Sequence, residues 1–184
     1  MEPHRDERTS ASPWFSPGLV RDDEIILRTI LDPHHVENNT LSPAAIALAD
    51  LRERGWSVDR KTFTSAWRIR LDHKRWGKRK SDLRKCWVVP AAVGDVRKLI
   101  ADDQKLFVIT DHASPLNPAH GSLLLATKSS QGAARKARDI LLRALPSYIS
   151  LEHCFTPQEK YGWWRGVLLG YSASVRQLWQ LMFS

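Results

Sequence analysis

Cysteine is scarce in this chain of 184 residues, with only Cys86 and Cys154 present. Two thiols without a C-x-x-C spacing build no disulfide framework, so a reducing cytoplasm is the expected setting. Long apolar runs are missing as well. No segment reaches the roughly 18 uninterrupted apolar residues of a membrane span. The nearest, residues 163–183, is interrupted by Arg165 and Arg176, with Gln177 and Gln180 beside them. The opening MEPHRDERTS has no apolar stretch, so no secretory leader is expected.

The signature patterns of several chemistries are also absent. There is no G-x-x-x-x-G-K, no G-x-G-x-x-G and no G-x-S-x-G, which disfavours P-loop nucleotide hydrolysis and serine-hydrolase chemistry. There is no H-E-x-x-H, no Cys/His spacing of the usual zinc type and no repeat at a fixed period. No cofactor and no metal are expected.

Acidic side chains are the remaining shortfall: 20 Asp and Glu stand against 28 Lys and Arg, leaving a net charge of +8. That excess is concentrated rather than spread. The 18 residues Arg68 to Lys85 (RIRLDHKRWGKRKSDLRK) hold nine Lys or Arg against two Asp, a local net of +7. Concentrated positive charge attracts polyanions, and nucleic-acid phosphates are the commonest of these. The candidate phosphate contacts are Arg68, Arg70, Lys74, Arg75, Lys78, Arg79, Lys80, Arg84 and Lys85. Trp76, lying among them, is placed to stack on an unpaired base or beneath an arginine. With no helix-turn-helix or zinc finger, the expected contacts go to phosphate and shape rather than to base edges. A solvated helix face with a mobile loop, or a patch for an acidic protein, would fit the same charges.

Apolar residues at 42% and charged residues at 26% are ordinary for a globular chain that buries a core. Residues 1–20, with Pro3, Pro13, Pro17 and Gly18, read as a flexible arm. Strands are expected at Glu24–Leu31, Trp56–Arg60, Cys86–Val89, Leu106–Thr110, Ser122–Thr127 and Tyr148–Leu151. A helix is expected over 43–53, capped by Ser42 and ended by Gly55, and a second runs from Thr62 or Thr64 into the basic segment. Pro90 is expected to turn the chain, with a short helix following over Val93–Ile100. Gln131–Leu145 is a third helix, capped by Ser129 or Ser130 and ended by Pro146. The expected fold is α+β, a single compact domain over 21–155 with about five short strands and three to four helices. Residues 156–184 form an aromatic-rich helical segment, whose Trp163, Trp164, Leu178 and Trp179 either dock a protein partner or pack onto the domain.

Two constellations carry possible chemistry. His112 and His120 bound one loop and, with Asp111, His153 and Cys154, would supply metal ligands or an acid–base pair. Loop histidines more often bond backbone. Separately, Arg28 and Ser57 on early strands and His120 before a later one resemble, in order, ADP-ribosyl-transferring folds. There an arginine holds a pyrophosphate and a serine steadies the pocket. The late glutamate motif of those folds is missing, and Glu152 is the one acidic candidate at a plausible place.

The series Asp22 or Asp23, Glu24 and Arg28, then Trp56 to Arg60 (WSVDR), then Asn117 to His120 (NPAH), resembles small uncharacterised bacterial proteins. They carry a D-E-x-L-x-R, S-V-D-R, N-P-A-H series, and some lie beside conflict or defence genes. The resemblance covers residues 22–127 and implies a bacterial origin and an α+β unit, without an activity. Arg28 and Arg60 would pair with Asp59, Glu24 or Asp111 if they are structural.

The leading expectation is a cytoplasmic, non-enzymatic bacterial protein that binds DNA or RNA, or a nucleoprotein complex, through residues 68–85. The alternative is an enzyme whose pocket joins Arg28, Ser57, Asp111 and His120, working by an ADP-ribosyl-transfer-like reaction. A third is a protein-binding accessory or immunity-like factor of a defence system.

Overall fold

Runs of β-branched and aromatic residues build the longer strands of the described chain. The computed structural model describes residue 7, residues 16–31, 34–66, 68–69, 86–114 and 117–156, and residue 159. Its strands are β1 (Ile25–Leu31), β2 (Val36–Glu37), β3 (Thr40–Leu41), β4 (Trp56–Arg60), β5 (Cys86–Ala92), β6 (Ile100–Ala101), β7 (Gln104–Lys105), β8 (Phe107–Asp111), β9 (His120–Leu125) and β10 (Ile149–Ser150). The α-helices are α1 (Val93–Arg97) and α2 (Gln131–Ala144).

Six strands form one sheet in the order β10-β5-β1-β4-β9-β8, and every neighbouring pair is antiparallel. The remaining four make two hairpins, β2–β3 and β6–β7. Their turns are Asn38-Asn39 and Asp102-Asp103, all four residues with φ between 50° and 60°. Two consecutive left-handed residues are what a type I′ hairpin turn requires, and Asn and Asp tolerate that region better than other side chains. The α+β class expected from the sequence is the class observed. Among the described residues, no helix is long and apolar enough to cross a membrane.

The two faces of the sheet are covered differently. One face, here called the helix face, buries Ile26, Ile30, Trp56, Val58, Val89, Ile109 and Leu123 against α1, α2 and the turns before β4. On α2 the buried residues are Ala134, Ala137 and Leu141, the three-and-four spacing of one helical stripe. Ser130 caps that helix, its Oγ accepting from the Ala133 N–H at 3.3 Å. The opposite face, here called the crossover face, buries Leu27, Ala66, Ile69, Cys86, Val88, Leu151, Cys154 and Phe155. Its cover arises because β4 and β5 flank β1, so the chain between Arg60 and Cys86 must cross over β1. Lys61 ties that crossover to the segment after β10, with Nζ 3.4 Å from Glu159 and 5.8 Å from the Phe155 ring centre.

Three local expectations differ in detail. Residues 43–53 do not form one α-helix. Pro43–Ala45 is a 3₁₀ turn capped by Ser42, Ile46 is extended, and Asp50–Arg54 is a wider π-type turn ended by Gly55. Ala45, Ile46 and Leu51 are all buried, and an unbroken short helix has little stability of its own to oppose that packing. Pro90 does not end its strand either. It pairs with Leu27 of β1, while β10 reaches only Trp87 and Val88 of β5, so among the described residues one side of β5 is unpaired there and tolerates a residue without an N–H. The helix expected from Thr62 begins instead at Ala66, after a 3₁₀ turn at Lys61–Phe63, with the Ser65 Oγ accepting from the Arg68 N–H.

Candidate functional site

Strand alternation sorts the polar residues of the sheet. In β4, Trp56, Val58 and Arg60 point to the helix face, so Ser57 and Asp59 point to the crossover face. The register sets Ser57 opposite Ser122 and Asp59 opposite His120, which places His120 on the crossover face too. Thr110 stands opposite Ser122 in β8, and His112 follows it two residues later. Ser57, Asp59, His112 and His120 therefore form one polar strip on the crossover face, over β4, β9 and the end of β8.

The strip is internally bonded. Ser57 Oγ lies 3.4 Å from His120 Nδ1, and the His112 and His120 ring centres are 6.3 Å apart with their planes at 80°. Asn117 fixes the turn between them. Its Nδ2 donates to Asp59 Oδ1 at 2.9 Å, and its Oδ1 accepts from the Ala119 N–H at 3.2 Å. The His112 N–H in turn donates to the His120 carbonyl at 3.0 Å, closing the loop that carries both histidines. Ser57 and His112 are exposed, whereas Asp59, Asn117 and His120 are half-buried. In chemical terms the strip offers two imidazoles, a hydroxyl in contact with one of them, and a carboxylate on the residue paired with it in register.

Arg60, next in sequence to Asp59, does something different on the helix face. Its side chain is 1% exposed, and its Nε and Nη2 donate to the two Glu24 carboxylate oxygens at 2.6 Å each. Nη1 donates to the Gly18 carbonyl at 2.7 Å and stands 3.8 Å from Asp111 Oδ1. Asp111, fully buried, also accepts from the Ser16 hydroxyl and from the Ala113 N–H. This Glu24–Arg60–Asp111 cluster locks residues 16–24 across the sheet. A buried guanidinium is tolerable only because two carboxylates and two carbonyls replace its water.

The candidates Arg28, Ser57, Asp111 and His120 are therefore divided between the two faces. Ser57 and His120 meet on the crossover face. Asp111 belongs to the buried cluster on the other. Arg28 alternates to the helix face, with its guanidinium carbon 5.2 Å from the Trp56 ring centre and Nη1 donating to the Ser57 carbonyl at 2.8 Å. Burial holds that guanidinium below its ordinary range, and the carboxylates of Asp50 and Asp59 oppose the shift. Arg28 Nε is buried without a hydrogen-bond partner among the described residues.

Of the basic side chains in residues 68–85, only Arg68 lies within the described residues. It is half-buried and sits on the helical turn beside buried Ile69. Arg70, Lys74, Arg75, Trp76, Lys78, Arg79, Lys80, Arg84 and Lys85 lie outside the described residues, as do Trp163, Trp164, Leu178 and Trp179. What the structure does place are the segment's two anchors. Ile69 and Cys86 both belong to the buried cluster on the crossover face, the face that carries the polar strip.

Sequence reasoning overlooked Ser16 and gave Asn117 no role of its own. For Asn117 the pointer was its position before Pro118 in a tight turn, where an Asn side chain commonly bonds backbone two residues on. For Ser16 there was none. Among the described residues, no group of three or more His, Cys, Asp or Glu is arranged to hold a metal ion. In comparison with known proteins, no family model, no curated protein and no solved structure matches this chain.

Proposed function

We propose that this is a small basic bacterial protein that binds nucleic acid, free or within a nucleoprotein complex, through phosphate contacts made by residues 68–85. The observation that carries it is the density of charge at one place. Nine Lys or Arg lie within 18 residues, and Ile69 and Cys86, near the two ends of that stretch, are buried on the face that carries the exposed Ser57 and His112. Polyanion binding needs several cations within reach of one backbone, and one short stretch of chain supplies nine. In this reading residues 21–155 are one domain, residues 1–20 an arm, and residues 156–184 a segment that engages a protein partner through Trp163, Trp164, Leu178 and Trp179. The setting is the cytoplasm.

The test is binding of the purified chain to labelled single- and double-stranded DNA and RNA across a salt series. Binding at roughly micromolar affinity or tighter, weakening steeply with salt, is the expected result. Replacing Arg75, Arg79 and Lys80 together by alanine should weaken it and flatten the logarithmic salt slope on duplex DNA by about 2.7, if each contacts one phosphate. An absence of binding at low salt, or a triple variant with an unchanged slope, overturns the proposal.

A further inference from the structure

We propose that His112 and His120 are an acid–base pair that cleaves RNA by transferring its phosphodiester to the neighbouring 2′-hydroxyl. Cleavage of this kind presupposes the nucleic-acid binding proposed above and names its substrate as RNA.

RNA carries its own nucleophile one atom chain away from the scissile phosphate. The protein then has to supply a proton acceptor, a proton donor and a fixed geometry, and no covalent intermediate. The polar strip has these parts. Two imidazoles stand on one sheet face, edge to face, with ring centres 6.3 Å apart and planes at 80°. A donor and an acceptor each reach about 3 Å to the oxygens they serve. Two rings at this separation can therefore address the entering and leaving oxygens of one phosphate.

The surroundings divide the roles. His120 is half-buried and its Nδ1 contacts Ser57 Oγ at 3.4 Å, which holds the ring in one orientation. Asp59 is its direct cross-strand neighbour and is itself held by Asn117 at 2.9 Å. His120, half-buried and oriented by its contact with Ser57, is assigned as the base. His112 is exposed at the mouth of the strip and is the acid.

In the step, His120 accepts the 2′-hydroxyl proton and the 2′-oxygen bonds to phosphorus. The bond from phosphorus to the 5′-oxygen breaks, and His112, entering as imidazolium, gives its proton to that oxygen. The products are a 2′,3′-cyclic phosphate and a 5′-hydroxyl. Exchange of one proton with water at each ring restores the starting state. Ser57 is a positioning residue here, acting through His120.

The experiment incubates the full-length chain with a labelled single-stranded oligoribonucleotide, its 2′-O-methyl counterpart and the same sequence in DNA. Binding of each is measured alongside. Cleavage of the unmodified RNA alone, with a cyclic phosphate terminus, is expected. His112→Ala and His120→Ala should each lower the rate by about 10²–10⁴-fold while leaving RNA affinity and thermal melting unchanged. Ser57→Ala should lower kcat with KM unchanged. RNA that is bound but left intact overturns the cleavage and leaves the binding standing. RNA that is neither bound nor cut overturns both. Equal cleavage by the histidine variants assigns the activity to something else in the preparation and overturns the pair. Cleavage of the DNA overturns the 2′-hydroxyl route, since a protein nucleophile would then be required.

Discussion

Arg60 and Glu24 meet side by side, two guanidinium nitrogens on two carboxylate oxygens at 2.6 Å each, inside a site where the arginine side chain is 1% exposed. This fork joins the residue before β1 to the last residue of β4, and Asp111 and the Gly18 carbonyl complete it. Replacing Arg60 by methionine keeps the volume and leaves two buried carboxylates unpaired. A loss of about 3–5 kcal/mol in urea unfolding is expected. Arg60→Lys restores the charge without the fork and should fall between the two. An Arg60→Met protein as stable as the parent would show that the cluster adds nothing.

Gly55, immediately before β4, has φ +84°, and a Cβ there would lie 2.5 Å from the Ser122 Cβ. Gly55→Ala therefore meets both a backbone penalty of about 1–3 kcal/mol and a side-chain collision. Combining it with Ser122→Gly should recover the collision part only. Full recovery in the double variant would show that the backbone angle costs nothing.

At the second hairpin, Asp102 and Asp103 both hold positive φ, at 51° and 58°. Glycine is the preferred second residue of such a turn. Asp103→Gly should raise the unfolding free energy by about 0.5–1 kcal/mol in the same assay, by removing left-handed strain from a residue with a Cβ. A decrease would indicate that the aspartate makes a contact worth more than the strain it carries.

Cys154 offers a dependence on alkalinity. Burial pushes its thiol above the ordinary value, countered by Lys61 and reinforced by Glu159. The folded state then holds its proton to higher pH than the unfolded state, so the unfolded chain binds fewer protons once pH passes the ordinary thiol value of about 8.5. Stability from this group is fully present below that pH and declines as pH rises toward the folded value. Urea midpoints measured on both sides should converge between the parent and Cys154→Ala as pH increases. A constant difference at all pH values would contradict this.

Much of the fold was legible because its signals are local. Trp56–Arg60 forms a strand over the expected residues, and Gln131–Ala144 is a helix stopped where Leu145-Pro146 must stop it. The Asn38-Asn39 turn also stands where its residues demand it. The broken helix at 43–54 and the strand running through Pro90 were not legible. In both, burial and an unpaired sheet side outweigh the preference of a few residues.

The sequence by itself determined the strands of the six-stranded sheet apart from the run of β5 through Pro90, together with α2, the Asn38-Asn39 turn and the concentration of charge between Arg68 and Lys85, because each depends on residues within one turn or one short run. Which polar groups meet was decided only by the tertiary structure. Asp59 and Arg60 are neighbours in the chain, yet strand alternation sends one to the histidine strip and the other into the Glu24 fork. Ser57 and His120, 63 residues apart, come into contact because β4 pairs with β9 in one register, and a slip of one residue would send His120 to the opposite face.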